Sequence, residues 1–175
     1  MTAAADGALA VTEDAHVPDR WSAHPYTEAD LPTVLAFFTE PDFYFRTVHP
    51  GLAAEAEIVA LLDEDTRVLC ADGEPVGLYA MAPTDGVSAH YELDFRLRHC
   101  APDTWWTAAY REIEAGLRER TEAVRLTVTA GEFDSRLLGI LRGLPLTEEG
   151  VLEHVVLHRG SYRGYHHFVQ LWGVA

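Results

Sequence analysis

The sequence predicts an α/β domain of the α+β kind, with one mixed sheet and helices on both of its faces. Three observations predict it. The chain has 175 residues, 48% of them apolar, which suits one domain with a sizeable core. Its apolar spacing switches between a helical period of about 3.6 and a strand period of about 2. The elements that result run β-α-α-β-β-β-α-β-α-β-β, and strand–helix–strand crossovers favour parallel pairing within such an order.

Residues 1–20 are rich in Ala, Asp and Thr without a sustained period, and are expected to be a flexible tail before a single domain over 21–175. Trp21 to Tyr26 reads as a first strand. Thr27 then caps a helix, with Asp30 three residues on, close to a capping box. Leu31, Val34, Leu35 and Phe38 give that helix its stripe, which ends before Pro41. A second helix is expected from Leu52 to Asp63 through Ile58, Val59, Leu61 and Leu62. Arg67–Ala71 and Pro75–Ala82 flank Asp72-Gly73-Glu74 as a hairpin. Ser88 to Arg98 alternates strictly, with Tyr91, Leu93, Phe95 and Leu97 on one face and His90, Glu92, Asp94, Arg96 and Arg98 on the other. The helix from Thr104 to Arg120 is expected to bury Trp105, Ala108, Ala109, Ile113 and Leu117. Val124 to Thr129 reads as a strand, and Asp134 caps a helix reaching Leu144. Val151–His158 and Tyr165–Val174 read as the last two strands.

Charge excludes several classes of function. Thirteen basic residues, all arginine, face 28 acidic ones, for a net −15. The whole imbalance lies in residues 1–95, which hold 18 acids and three arginines; residues 96–175 hold ten of each. Phosphate neutralisation needs a basic face, so nucleic acid is not an expected partner. A cationic or amine substrate suits the acidic half better, although solubility alone also accounts for such charge. No apolar run approaches the roughly 18 residues that span a bilayer, so no membrane partner is expected. The first residues lack a positive n-region, so a cytoplasmic protein is expected. Cys70 and Cys100 make neither a metal spacing nor a disulfide scaffold. His154 and His158 fall on a strand about 13 Å apart along it, too far to share one metal. No metal is expected.

The order of elements resembles the Gcn5-related N-acetyltransferase (GNAT) fold, over about Trp21 to Val174. Residues 134–146, Asp-Ser-Arg-Leu-Leu-Gly-Ile-Leu-Arg-Gly-Leu-Pro-Leu, resemble the helix that in many members ends in Gly-Phe. Glu148-Glu149-Gly150-Val151 is similar to the Glu-Gly step into the sixth strand. Gly160-Ser161-Tyr162-Arg163-Gly164-Tyr165 and Tyr26-Thr27-Glu28-Ala29-Asp30-Leu31 resemble the ribosomal-protein-alanine acetyltransferase branch. The resemblance implies a mixed, mostly antiparallel central sheet of six to seven strands, and N-acyl transfer from acetyl-CoA or another acyl-CoA to the primary amine of a small molecule. It also implies that Phe95 and Leu97 pair their backbones with the pantetheine amides. The family holds the coenzyme A pyrophosphate on an Arg/Gln-x-x-Gly-x-Gly/Ala loop and the helix that follows it. Here that stretch is Arg98-His99-Cys100-Ala101-Pro102-Asp103-Thr104. The glycine positions hold Ala101 and Asp103, or Pro102 and Thr104, and no glycine occurs between Val87 and Ala115. Pro102 lacks an N–H, and Asp103 is expected to oppose phosphate. The same residues also read as an ordinary helix start. Arg98 and Arg96 are the arginines that can still meet phosphate oxygens from this end, although a solvated strand-end arginine also accounts for Arg98.

Acyl transfer to an amine needs a group that takes the ammonium proton. Glu92, in the strand where this fold often carries its base, is the first candidate. Asp94 is the second, as base or amine anchor. The rival reading of that polar face is a buried ion-pair ladder with Arg96. The family's general-acid tyrosine falls on Leu141. Tyr162, Tyr165, His166 and His167 are the residues able to reach in from the last hairpin, though His166 and His167 must face opposite ways. Phe43, Tyr44 and Phe45, between the first two helices, are the expected pocket for an amine with an apolar body. Loss of the glycines also admits a donor carried on the phosphopantetheine of an acyl carrier protein, or a GNAT-shaped scaffold without transfer activity. A homodimer is compatible with every one of these readings.

Overall fold

The computed structural model describes residues 17–46, 54–84 and 86–173. Most of the expected tail, the expected start of the second helix at Leu52 and the turn residue Asp85 lie outside the described residues.

The described elements are β1 (Trp21–Pro25), α1 (Leu31–Phe38), α2 (Glu55–Leu61), β2 (Thr66–Ala71), β3 (Glu74–Pro83), β4 (His90–Leu97), α3 (Asp103–Arg120), β5 (Arg125–Gly131), α4 (Ser135–Gly143), β6 (Thr147–His158) and β7 (Ser161–Leu171). They build one seven-stranded sheet in the order β1-β2-β3-β4-β5-β7-β6. The β4–β5 pair is parallel, and the other five neighbouring pairs are antiparallel.

Local chemistry explains the boundaries. A single 3-10 turn, Glu28–Asp30, leads into α1, and the Asp30 carboxylate accepts hydrogen bonds from both the N–H and the hydroxyl of Thr27. Asp134 caps α4 by accepting the Leu137 N–H at 3.0 Å. Two hairpins are closed by two-residue turns at positive φ: Asp72 and Gly73 at 51° and 90°, and Arg159 and Gly160 at 48° and 79°. That geometry matches the twist of the strands it joins.

The inner strands are apolar on both faces, as a covered sheet requires. Leu69, Tyr79, Leu93, Phe95 and Leu97 join α3 and α4 in the larger core. Val68, Cys70, Leu78 and Ala80 join Val34, Phe37, Phe43 and Phe45 in the smaller one, under α1. The α3 stripe buries Ala109, Ile113 and Leu117 as expected, with Trp106 and Tyr110 in place of Trp105 and Ala108. Trp105 instead lies at the core's margin, edge-on to Trp21 with centroids 6.0 Å apart. In α2 only Ile58 is buried, and Val59 is 42% exposed.

β4 breaks the two-faced pattern. Its even positions carry Glu92, Asp94 and Arg96 on the α1–α2 side. That face is not covered by apolar helix, and it borders the cleft described next.

Candidate active site

The cleft begins where two parallel strands part. β4 and β5 pair from His90↔Arg125 to Leu93↔Val128 and no further. β4 then runs on through Leu97 and β5 through Gly131 without pairing to each other. Their facing backbone groups therefore lack ladder partners inside a sheet that is otherwise paired.

Two adjoining cavities lie along this parting. The first, of roughly 400 Å³, is lined among others by Glu92, Asp94, Arg46, Leu61, Thr127 and Thr129. The second, of roughly 280 Å³, is lined among others by Tyr44, Arg96, Phe133, Leu152, Tyr165 and His167. Arg46, Asp94 and Thr129 border both, so the two form one cleft. Register builds the second wall: Gly131, Tyr165 and Leu152 stand in one row across β5, β7 and β6, with Thr129 opposite His167 in the next. A Cβ on Gly131 would lie 2.3 Å from the Phe133 ring, so glycine is what admits that ring. Phe133 in turn meets Tyr44 edge-on at 5.2 Å and Tyr165 at 6.1 Å.

The floor is charged. Arg96 is 4% exposed; its Nη1 lies 3.1 Å from Asp94 Oδ1, and its Nη2 lies 3.7 Å from Asp134 Oδ2. Its Nη1 also donates to the Phe95 carbonyl at 2.8 Å. The expected ion-pair ladder on this face therefore exists, and it reaches across the parting to Asp134. Burial pushes the Asp134 carboxyl up, against the opposing pull of Arg96 and the Leu137 N–H. Asp94 Oδ1, Arg96 Nε and Asp134 Oδ2 are buried without hydrogen-bond partners.

Arg46 closes the side. Its backbone stands at φ 51°, and its N–H donates to Asp94 Oδ2 at 2.7 Å. Its Nη1 reaches the Leu61 carbonyl at 3.1 Å and Asp63 at 2.5 Å, tying the segment after α1 to the end of α2. Burial alone would raise the Asp63 carboxyl, yet the hydrogen bond and charge of Arg46 hold it below the usual range.

The sequence-derived candidates separate on these facts. Glu92 is exposed, lines the first cavity and has no partner among the described residues, so its carboxylate is available to a ligand. Asp94 is committed to Arg96 and to the Arg46 N–H, which suits a positioning or anchoring role better than proton transfer. Tyr44 lines the cleft, but Phe43 and Phe45 are 6% and 0% exposed in the smaller core. Phe43 and Phe45 turn inward, and Tyr44 between them is half-buried and turns toward the cleft. The side chains of Phe95, Leu97 and Ala101 are in the larger core, leaving only backbone for a ligand. Arg98 does not stand free for phosphate: its Nε donates to Glu40 Oε1 at 2.8 Å, and the His99 N–H donates to Glu40 Oε2 at 2.7 Å. Asp103 is not an isolated repulsive charge, because Arg136 Nη2 pairs with it at 3.0 Å. Arg136 also donates to the carbonyls of His99 and Ala101, and lies over the Trp106 ring at 5.6 Å. Thr104 is exposed in the first turn of α3.

The last hairpin contributes Tyr165 and His167, with His167 Nδ1 3.2 Å from the Thr129 hydroxyl. Burial pushes the Tyr165 phenol up, so it stays protonated at neutral pH. His166 faces the other way, against Glu148 at 2.5 Å, and Tyr162 is 64% exposed. Leu141, at the family's tyrosine position, is wholly buried. Thr129, Phe133 and Leu152 are site residues that sequence reasoning missed. Among the described residues no cluster of His, Cys, Asp and Glu is arranged to hold a metal, and no helix is long and apolar enough to cross a membrane.

No protein-family model matches the chain, and no curated protein matches it. Solved structures do. An acetyltransferase from Salmonella typhimurium that modifies the N-terminal serine of a 50S ribosomal subunit protein superposes with a TM-score of 0.74 at 9% identity, over 91% of this chain and 99% of that one. A GNAT-family acetyltransferase from Bacillus anthracis gives 0.70 at 13% identity, over 89% and 96%. A ribosomal-protein-alanine N-acetyltransferase from Brucella melitensis gives 0.61 at 21% identity, over 86% and 99%. The chain has the GNAT fold along nearly its whole described length.

Proposed function

We propose that this protein is an N-acyltransferase that moves an acyl group from a pantetheine thioester, such as acetyl-CoA, to the primary amine of a small molecule. One observation carries the reading: the parting of β4 and β5 opens beside Glu92, the one cleft carboxylate left without a partner among the described residues.

The residues present fit the arm of the donor. A pantetheine arm is a chain of two amides and a hydroxyl, which needs both donors and acceptors. The unladdered backbone of Asp94–Leu97 and Thr129–Gly131 offers both. When bound, the thioester supplies an activated acyl carbon; a C–N bond forms, the C–S bond breaks, and of the two protons the ammonium gives up one ends on the leaving sulfur. The chain's own residues do the rest. Glu92 takes the other proton from the incoming ammonium, directly or through a water. Asp94, fixed by Arg96 and the Arg46 N–H, keeps negative potential where a cation must dock. Tyr44, Phe133 and Tyr165 offer ring faces to the acceptor's apolar body. The Tyr165 phenol is a protonated group at the edge of the same space, and the proton can also come from solvent.

The neighbours from Salmonella typhimurium and Brucella melitensis are described as acting on ribosomal proteins, which makes a protein N-terminus the second acceptor class to test. The test incubates the protein with acetyl-CoA and either small primary amines or short peptides with free N-termini. It follows free thiol and identifies the acylated product by mass spectrometry. Thiol release that depends on a small amine, with one N-acyl product per thiol, is the expected outcome. Release with peptides alone would move the acceptor assignment to protein N-termini, and none with either would remove the activity.

A further inference from the structure

The β4 end of the loop that follows β4 is already occupied by the chain's own charges. Of the backbone N–H groups from Arg98 to Thr104, Pro102 has none, and three are engaged: Arg98 with the Val76 carbonyl, Ala101 with the Arg98 carbonyl, and His99 with Glu40. Glu40 places one carboxylate oxygen on the His99 N–H and the other on the Arg98 guanidinium. A phosphate bound to such a loop would take the same two kinds of contact, from backbone N–H and arginine.

The contact is held in place from both ends. The Glu40 N–H donates to the Phe37 carbonyl at 3.0 Å, fixing it at the end of α1, and its side chain is 18% exposed. The Arg98 guanidinium lies 5.8 Å over the ring of Phe37, which is itself core. On the opposite side Arg136 holds the carbonyls of His99 and Ala101 and the carboxylate of Asp103, so the loop is clamped between α1 and α4. The residues present fit a pantetheine arm, but they do not fit a nucleotide pyrophosphate at this loop.

We propose that Glu40 is a specificity-determining residue that stands in for the donor's phosphate, so that the donor is recognised through its pantetheine arm and not through its nucleotide. This rests on the acyl-transfer reading. The ligand class is a pantetheine thioester with or without a nucleotide, whether free or carried on a larger molecule.

Calorimetric titration of the full chain at low ionic strength tests it, with coenzyme A, 4′-phosphopantetheine, pantetheine and 3′,5′-ADP as probes. For the unmodified protein the first three are expected to bind within about threefold of one another, and 3′,5′-ADP not at all. Glu40→Gln, which keeps the shape and removes the charge, is expected to tighten coenzyme A by about three- to tenfold, the scale of one charge beside a bound anion, and to leave pantetheine unchanged. A gain shared by 4′-phosphopantetheine places the phosphate next to the arm at this loop, and a gain confined to coenzyme A places the nucleotide phosphates there; either supports the assignment. A preference of more than about thirtyfold for coenzyme A over pantetheine in the unmodified protein, or weaker coenzyme A binding by Glu40→Gln with an unchanged melting temperature, would overturn it. If neither coenzyme A nor pantetheine binds, the acyl-transfer reading fails, and 3′,5′-ADP still decides on Glu40. Its binding to Glu40→Ala but not to the unmodified protein supports the substitution of phosphate by carboxylate, and its failure to bind either overturns it.

Discussion

Glu92→Gln is expected to slow acyl transfer by about 10²–10⁴ at neutral pH, with the fold and the affinity for the donor unchanged. The substitution keeps the length and the hydrogen-bonding shape of the side chain and removes the proton acceptor. Glu92 has no partner among the described residues, so no folded-state interaction is lost with its charge. The fall should appear in kcat rather than in the KM for the thioester, because the carboxylate acts on the amine. Asp94→Asn serves as the contrast. It disturbs the Arg96 pair and the Arg46 N–H contact, so its effect should include a loss of stability that Glu92→Gln does not show. A Glu92→Gln rate within about threefold of the original would remove Glu92 from the chemistry.

Arg96→Met is expected to destabilise the protein by about 3–5 kcal/mol at pH 7, because it leaves carboxylates in a low-dielectric floor without their cation. Arg96 and Asp134 are each 4% exposed, so solvent cannot replace the lost partner. The pH dependence has a definite sign. Burial raises the Asp134 carboxyl in the folded protein above its ordinary value of about 3.9. The stability linked to its protonation is therefore fully present below that unfolded value and is lost as pH rises through the folded one. Removing Arg96 takes away the main opposing influence and widens that window, so the deficit should shrink as pH falls from 7 toward 4. Replacing Asp94, Arg96 and Asp134 together by Leu, Met and Asn should restore much of the loss, since no unpaired charge then remains. Urea unfolding at both pH values reads these differences. A loss below about 1 kcal/mol for Arg96→Met would mean that the cluster is solvated rather than buried.

The parts legible in the sequence were those set by neighbours along the chain. The strict alternation from Ser88 to Arg98 gave β4 its two faces, and Asp72-Gly73 gave a hairpin because both residues tolerate positive φ. The ion-pair ladder was foreseeable for the same reason, since Asp94 and Arg96 share a face whatever surrounds them. Trp105 and Trp106 illustrate the limit: either can lead the α3 stripe, and only the position of Trp21 across the fold decides between them. Phe43, Tyr44 and Phe45 read as one aromatic pocket until the fold divides them between core and cleft. The pairings made by Arg46 and Glu40 carried no local signal. Their partners Asp94 and His99 lie 48 and 59 residues away, so their roles exist only once the sheet has formed. The cleft itself depends on strands parting, which no periodicity announces.

Hydrogen–deuterium exchange of the full chain with and without coenzyme A tests most directly whether the parting of β4 and β5 is the donor's seat. A bound arm must take hydrogen bonds from backbone that now has no ladder partner. Slowed exchange is expected across Asp94–Leu97 and Thr129–Gly131, with little change over 98–105, where Glu40 and Arg136 already occupy the loop. Slowed exchange confined to 98–105, with the two strands unaffected under saturating ligand, would contradict both the seat of the donor and the mechanism built on it.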